Sequence, residues 1–249
     1  DGQLRGRPGG EHFDTAENSE LVALPVADSH GVIVVGLQPE VDKASVNSAL
    51  DEIGTELAAF GLATARPLAR REYRVKANWK LVNDLSLEAY HFANLHRDSV
   101  AQLLTANAVV DTYRRSSRWA FPMKTIRRLD ALDESQWPNR VEGSVTYTVM
   151  PGVMFIVNAL GAQMIRADPA DTPDKSLVTY TGIGWEDAAH KDALAAYEFG
   201  GEVFATEDLP MAEACQRGLA ATGRAQLLGR NEPLLQFWHR LWDEVSDES

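Results

Sequence analysis

Apolar positions change their period along the chain, and each change predicts a change of element. Residues 21–39 set short apolar runs between breakers, which reads as two short strands joined by a turn at 28–31. Over residues 41–62, Leu50, Ile53, Leu57 and Phe60 recur at helical spacing, and Gly61 closes the predicted helix. Residues 72–80 switch to period two, with Tyr73, Val75, Ala77 and Trp79 on one face and Arg74, Lys76, Asn78 and Lys80 on the other, a half-buried strand. Residues 81–95 contain neither Gly nor Pro and favour helix. The stretch 111–140 is basic and irregular, and 141–185 then supplies strands at 144–150, 153–158, 163–167 and 177–185, an antiparallel meander with turns at Pro151-Gly152 and 168–174.

Helix returns at 205–221, ending at Gly223, and a last helix starts at Asn231 with Pro233 in its first turn. Its apolar set, Leu234, Leu235, Trp238, Leu241, Trp242 and Val245, forms one wide stripe that needs a broad surface, such as a sheet, to pack on. Strand, helices, antiparallel strands and terminal helices in that order predict an α+β fold.

Composition narrows the function classes. Among 249 residues, 24 Lys and Arg stand against 36 Asp and Glu, so the formal net charge of −12 speaks against nucleic acid as a partner. The 45% apolar and 24% charged shares are those of a globular chain. No apolar run approaches the roughly 20 residues of a membrane span, and the longest candidate, 149–159, contains Pro151 and Gly152. A single cysteine, Cys215, excludes an internal disulfide framework, a Cys-rich zinc site and a complete iron–sulfur cluster within this sequence, and fits a reducing, cytoplasmic setting. Cys215 itself reads as a small core residue. The polar opening, without an initiator Met or a leader, reads as the interior of a longer sequence.

Candidate chemistry concentrates in residues 78–96, where His91 and His96 follow Asp84 and Glu88. At about 100° per residue, Asp84, Glu88 and His91 share a helix face while His96 sits roughly 140° from His91, so both imidazoles reach one ion only if the helix ends or unwinds between them. The same residues fit two partly buried histidines and a solvated glutamate. A metal needs a further carboxylate, and Asp208, at the start of the later helix, serves either as that ligand or as a backbone cap. His190 and His239 fall on predicted helices without acidic company. The cluster Arg66, Arg70, Arg71 and Arg74 fits a subunit or electron-donor interface and equally a solvated strand face.

Asn78-Trp79-Lys80-Leu81, then Glu88-Ala89-Tyr90-His91 with His96 five residues on, resembles the iron-binding signature of Rieske non-haem iron oxygenases, the ring-hydroxylating oxygenase alpha-subunit family. Glu207-Asp208 with Gln216-Arg217-Gly218-Leu219 is similar to the later acidic motif of that family, and residues 1–6, 24–27 and 30–31 are similar to the segment just past its second cluster-binding motif. The resemblance implies a helix-grip fold (START/Bet v 1-like), an antiparallel sheet curved around a long C-terminal helix. Residues 1–41 would be the last strands of an incomplete Rieske-type domain, and residues 42–249 the catalytic mononuclear-iron domain.

It further implies that His91, His96 and Asp208 hold a mononuclear Fe(II), leaving positions open for O2. Glu88, where many members have Asp, would be the electron-transfer bridge to the cluster of a neighbouring subunit. Asp84 stands where Asn is frequent in the family, a departure from its pattern. The Rieske [2Fe–2S] cluster needs two Cys and two His and is not ligated by this chain. The implied function is hydroxylation, dihydroxylation or oxidative demethylation of a small organic, aromatic substrate, as in aromatic hydrocarbon catabolism. Electrons would come through a ferredoxin or reductase, the assembly would be a head-to-tail homotrimer, and this piece alone would not turn over. Asn94, Leu95, Met154, Phe155 and Asn158 are candidate pocket residues, although plain core strands carry the same letters. Two other readings stay open: a non-redox ligand-binding helix-grip module, and a zinc-dependent hydrolase using the same ligands.

Overall fold

The computed structural model describes residues 2–12, 20–140 and 142–247, so residues 1 and 13–19 of the expected N-terminal remnant lie outside the described residues. The chain divides into two compact units, Asp1–Ala63 and Thr64–Ser249. The first holds a hairpin of β1 (Val26–Ser29) and β2 (Val32–Val35), followed by α1 (Lys43–Asn47) and α2 (Asp51–Ala59). The expected turn is there: His30 (φ 54°) and Gly31 (φ 88°) both have positive φ, the two-residue turn whose twist suits a hairpin. A side chain on Gly31 would meet the Ala63 Cα at 2.6 Å.

The helix expected over 41–62 is instead two helices, because Ser48 and Leu50 leave helical backbone angles between them. Val46, Leu50, Ile53 and Leu57 are buried. The hairpin keeps Val26, Ile33 and Val35 exposed at 50%, 65% and 45% of their surface.

The second unit is built on a seven-stranded antiparallel sheet. Its strands are β3 (Arg66–Val75), β4 (Val109–Thr112), β5 (Ser116–Pro122), β6 (Gly143–Val149), β7 (Val153–Val157), β8 (Gly161–Pro169) and β9 (Ser176–Gly184), in spatial order β3-β9-β8-β7-β6-β5-β4. The meander is thus longer than expected. Strands β4 and β5 lie in the stretch expected to be irregular, where Arg118 pairs with Asp111 across the two strands at 2.6 Å while Ser117, Trp119 and Phe121 are buried. Charges confined to one face hid a regular strand.

Register fixes one working face. Trp119, Thr146, Ile156, Gln163 and Gly182 are successive partners across five strands and form one row. Over this face lie α3 (Trp79–Asp84), α5 (His190–Val203), α6 (Leu209–Thr222) and α7 (Pro233–Asp247), with the short α4 (Val100–Leu103) preceding β4. Gly182 admits the Tyr197 ring of α5, which would lie 2.3 Å from an added Cβ. The α7 stripe packs as expected: Leu234, Leu235, Trp238, Leu241 and Trp242 form a buried cluster with Trp119 and Phe121, and the Trp238 indole donates to Ser117 Oγ at 2.8 Å. Truncating Trp238 would cost about 3–5 kcal/mol.

The basic cluster on edge strand β3 is largely engaged. Arg71 pairs with Glu198, Arg70 with Glu72, and Arg66 donates to the Ala188 carbonyl at 2.8 Å. Among the described residues no helix is long and apolar enough to cross a membrane.

Candidate metal centre and cavity

The segment carrying both histidines departs from the predicted helix. After α3 the chain turns, and residues Tyr90–Ala93 form one short 3-10 turn. The Glu88 carboxylate explains the break, because it accepts from the Tyr90 amide at 2.5 Å and the His91 amide at 3.2 Å, hydrogens that a helix would give to the carbonyls of Ser86 and Leu87. With the helix gone, the angular obstacle between His91 and His96 is gone too, and their ring centroids lie 4.7 Å apart.

Asp208 comes from a different irregularity. Between α5 and α6, Phe204–Asp208 form a single π-helical turn in which the Leu209 amide donates to the Phe204 carbonyl. Pro210 supplies the physical reason, since it has no N–H to offer the Thr206 carbonyl and an ordinary helix cannot run through unchanged. The Asp208 side chain caps no backbone amide. Helix α6 is fixed to the β3–α3 junction by Glu213, which accepts from the Lys76 amide at 3.0 Å, and by Gln216, which accepts from the Asn78 amide at 2.9 Å.

These elements bring His91, His96 and Asp208 together, each offering one ligand atom, with all three atoms within 4.8 Å of one another. His96 Nε2 lies 3.1 Å and His91 Nε2 3.9 Å from Asp208 Oδ1. The opposite ring nitrogens are held by carboxylates: His91 Nδ1 by Glu88 Oε1, and His96 Nδ1 by Glu207 Oε2 at 2.7 Å, which also accepts from Ser99 Oγ at 2.9 Å. A neutral imidazole that donates Nδ1–H to a carboxylate presents its Nε2 lone pair, so the set suits a cation that takes two imidazoles and one carboxylate. Burial opposes charge on His96, yet hydrogen bonds and charge from Asp208 and Glu207 outweigh it and raise its pKa. Glu207 stood in the acidic motif but carried no role there, because nothing local marks its neighbour across 111 residues.

A third histidine–carboxylate pair stands apart from this cluster. His239 on α7, expected to lack acidic company, has its Nε2 3.0 Å from Asp84 Oδ1. Desolvation raises the Asp84 pKa against the hydrogen bond from His239, and the bond to Asp84 raises that of His239. Cys215 is exposed rather than core, and its thiol is pushed up first by desolvation and then by Asp84 and Glu88, which keeps it protonated.

His91, His96 and Asp208 line a cavity of about 370 Å³, walled by Trp119, Phe121, Ile156, Phe199 and Phe204. Of the expected pocket residues, Asn158 lines it, whereas Asn94, Leu95, Met154 and Phe155 do not. Met154 shares the parity of Ile156 but is sealed in the core cluster with Val82, Leu209 and Ala212. Phe155 points to the opposite side by strand alternation. Asn94 and Leu95 follow the 3-10 turn, which gives the cavity to Phe92 and His96 instead.

Fold and site together define a class: a helix-grip domain closing an apolar cavity over a cluster of two histidines and one carboxylate. The chain belongs to the ring hydroxylating alpha subunit (catalytic domain) family, whose model matches residues 62–248. It is 27% identical over 228 residues to the carnitine monooxygenase oxygenase subunit of Acinetobacter pittii (strain PHEA-2), covering 86% of this chain. The chain spans 57% of the length of that relative. Among solved structures, a quaternary ammonium Rieske monooxygenase superposes with TM-score 0.76 at 20% identity, over 98% of this chain and 68% of the other. Dicamba monooxygenase bound to 3,6-dichlorosalicylic acid superposes with TM-score 0.63 at 13% identity, over 99% and 76%.

Proposed function

We propose that this chain is the oxygen-activating part of a Rieske-type non-haem iron oxygenase acting on a small organic molecule. The observation that carries the reading is the paired orientation of His91 and His96, each held at Nδ1 by a glutamate and turned at Nε2 toward Asp208, on the lining of an apolar cavity. His91, His96 and Asp208 would hold Fe(II), and three protein ligands leave coordination positions open. Bound Fe(II) supplies the redox chemistry of dioxygen activation. The chain's own residues do the rest: Glu88 and Glu207 fix the imidazole orientation, and the apolar walls exclude bulk water from the substrate.

Glu88 fits the electron-transfer bridge. Besides His91 it lines a second, smaller cavity with Tyr90, Trp119 and Glu232, so one carboxylate lies between the ligand histidine and a second opening. In this reading electrons come from the Rieske cluster of another subunit in a head-to-tail trimer, fed by a ferredoxin or reductase. In this reading residues 1–41 belong to the end of the cluster domain, although the compact unit that holds their hairpin, with Val26, Ile33 and Val35 exposed, runs on to Ala63. Hydroxylation, dihydroxylation and oxidative demethylation are the reactions in scope.

The test is dioxygen uptake by the iron-loaded chain given electrons from a chemical reductant. Uptake that disappears in His91→Ala supports the oxygenase. Tight zinc with hydrolytic activity favours the hydrolase, and ligand binding without any metal favours the binding module.

A further inference from the structure

The Trp119 indole N–H is buried without a partner, and in the same row of the working face an amide side chain also lacks one. Gln163 of β8 is 7% exposed and lines the main cavity, yet its amide has no hydrogen-bond partner among the described residues. It sits between Ile156 and Gly182 in the row that begins at Trp119, so its neighbours on both sides are apolar or lack a side chain. Asn158, the other amide on the lining, is already engaged, since its Oδ1 accepts from the Leu160 amide at 2.8 Å and the Gly161 amide at 3.2 Å. A buried amide without a partner is costly, and such a group is normally matched by a ligand or an ordered water.

The charge of the lining points the same way. No Lys or Arg lines the cavity among the described residues, and its charged groups are confined to the His91, His96 and Asp208 cluster. A buried carboxylate away from that cluster would have no cation to pair with. An amide, by contrast, serves a neutral partner as donor or acceptor.

We propose that the cavity binds a largely apolar organic molecule through one neutral polar group hydrogen-bonded to Gln163, and discriminates against carboxylates. Gln163 is thus a specificity-determining residue. The inference rests on the oxygenase reading only for what happens to the molecule once bound.

Calorimetric titration of the full chain, as isolated and after chelation, tests this with benzamide, benzoate and toluene. Chelation removes any ion that could hold a carboxylate directly. Benzamide is expected to bind at least about tenfold more tightly than benzoate. Gln163→Met, close in shape without the amide, should weaken benzamide about fivefold and leave toluene unchanged. Benzoate binding as tightly as benzamide overturns the inference, as does failure of benzamide to bind, or a Gln163→Met effect that is absent or equal for benzamide and toluene. Iron content is measured separately. A chain that holds iron but prefers benzoate loses this inference and keeps the oxygenase reading, and one that prefers benzamide but holds no iron does the reverse.

Discussion

His91 and His96 carry the same chemistry on differently built supports. Glu88 holds His91 from three residues away and in the same turn accepts the backbone amides of Tyr90 and His91. Glu207 holds His96 across 111 residues and depends on a π turn and on Ser99 for its own position. One support is a local motif and the other exists only once the domain has folded. Asp208, adjacent to Glu207, belongs to the second kind, so the geometry of the cluster is decided by where α5 and α6 meet the histidine segment.

The contrast can be broken or sharpened by substitution. The largest effect belongs to Asp208→Ala, which removes the carboxylate facing both Nε2 atoms: Fe(II) affinity should fall by more than about 100-fold in a chelator competition, with circular dichroism unchanged. Glu207→Ala, which keeps every ligand but frees His96 Nδ1, should cost about 10–100-fold in the same assay. If it costs nothing, the long-range support is ornamental and the local motif suffices. Ser99→Ala removes one neutral donor to Glu207 and should cost about fivefold, in step with a net hydrogen bond of roughly 1 kcal/mol.

His239→Gln is the control, a histidine–carboxylate pair outside the cluster, and should leave iron affinity unchanged. Its effect is on stability. The folded pKa of His239 is raised by Asp84, so its contribution is complete below the ordinary imidazole value and is lost as pH rises through the raised one. Asp84 is raised too, so the folded state again holds the extra proton and the slope has the same sign. Chemical denaturation should show a loss of about 1–3 kcal/mol in His239→Gln at pH 6, shrinking toward alkaline pH.

These supports also explain what was legible in the sequence. The five-residue step from His91 to His96 and the acidic residue on a later segment were visible as letters, and the alternating strands from β6 to β9 and the stripe of α7 as periods. The helix expected over 81–95 ended at Asp84 because periodicity and propensity take no account of a carboxylate that captures backbone amides, as Glu88 does. The π turn left a trace in Pro210, two positions past the segment that matters. Strands β4 and β5 were masked by Arg114 and Arg115 in the turn between them and by Arg118 on β5, and His239 found its acid 155 residues away. Of the cavity, only what strand parity alone decides could be read: Ile156 and Asn158 face it, but Met154 on the same side is covered by helices whose placement no local pattern gives.

The central claim is that His91, His96 and Asp208 form one iron site, and iron stoichiometry tests it most directly. The chain is loaded anaerobically with Fe(II), passed over a desalting column and analysed for metal beside His91→Ala and His96→Ala. The expected result is about one iron per chain in the parent and almost none in either variant. An iron-free parent, or variants that retain the parent's iron, would contradict the account.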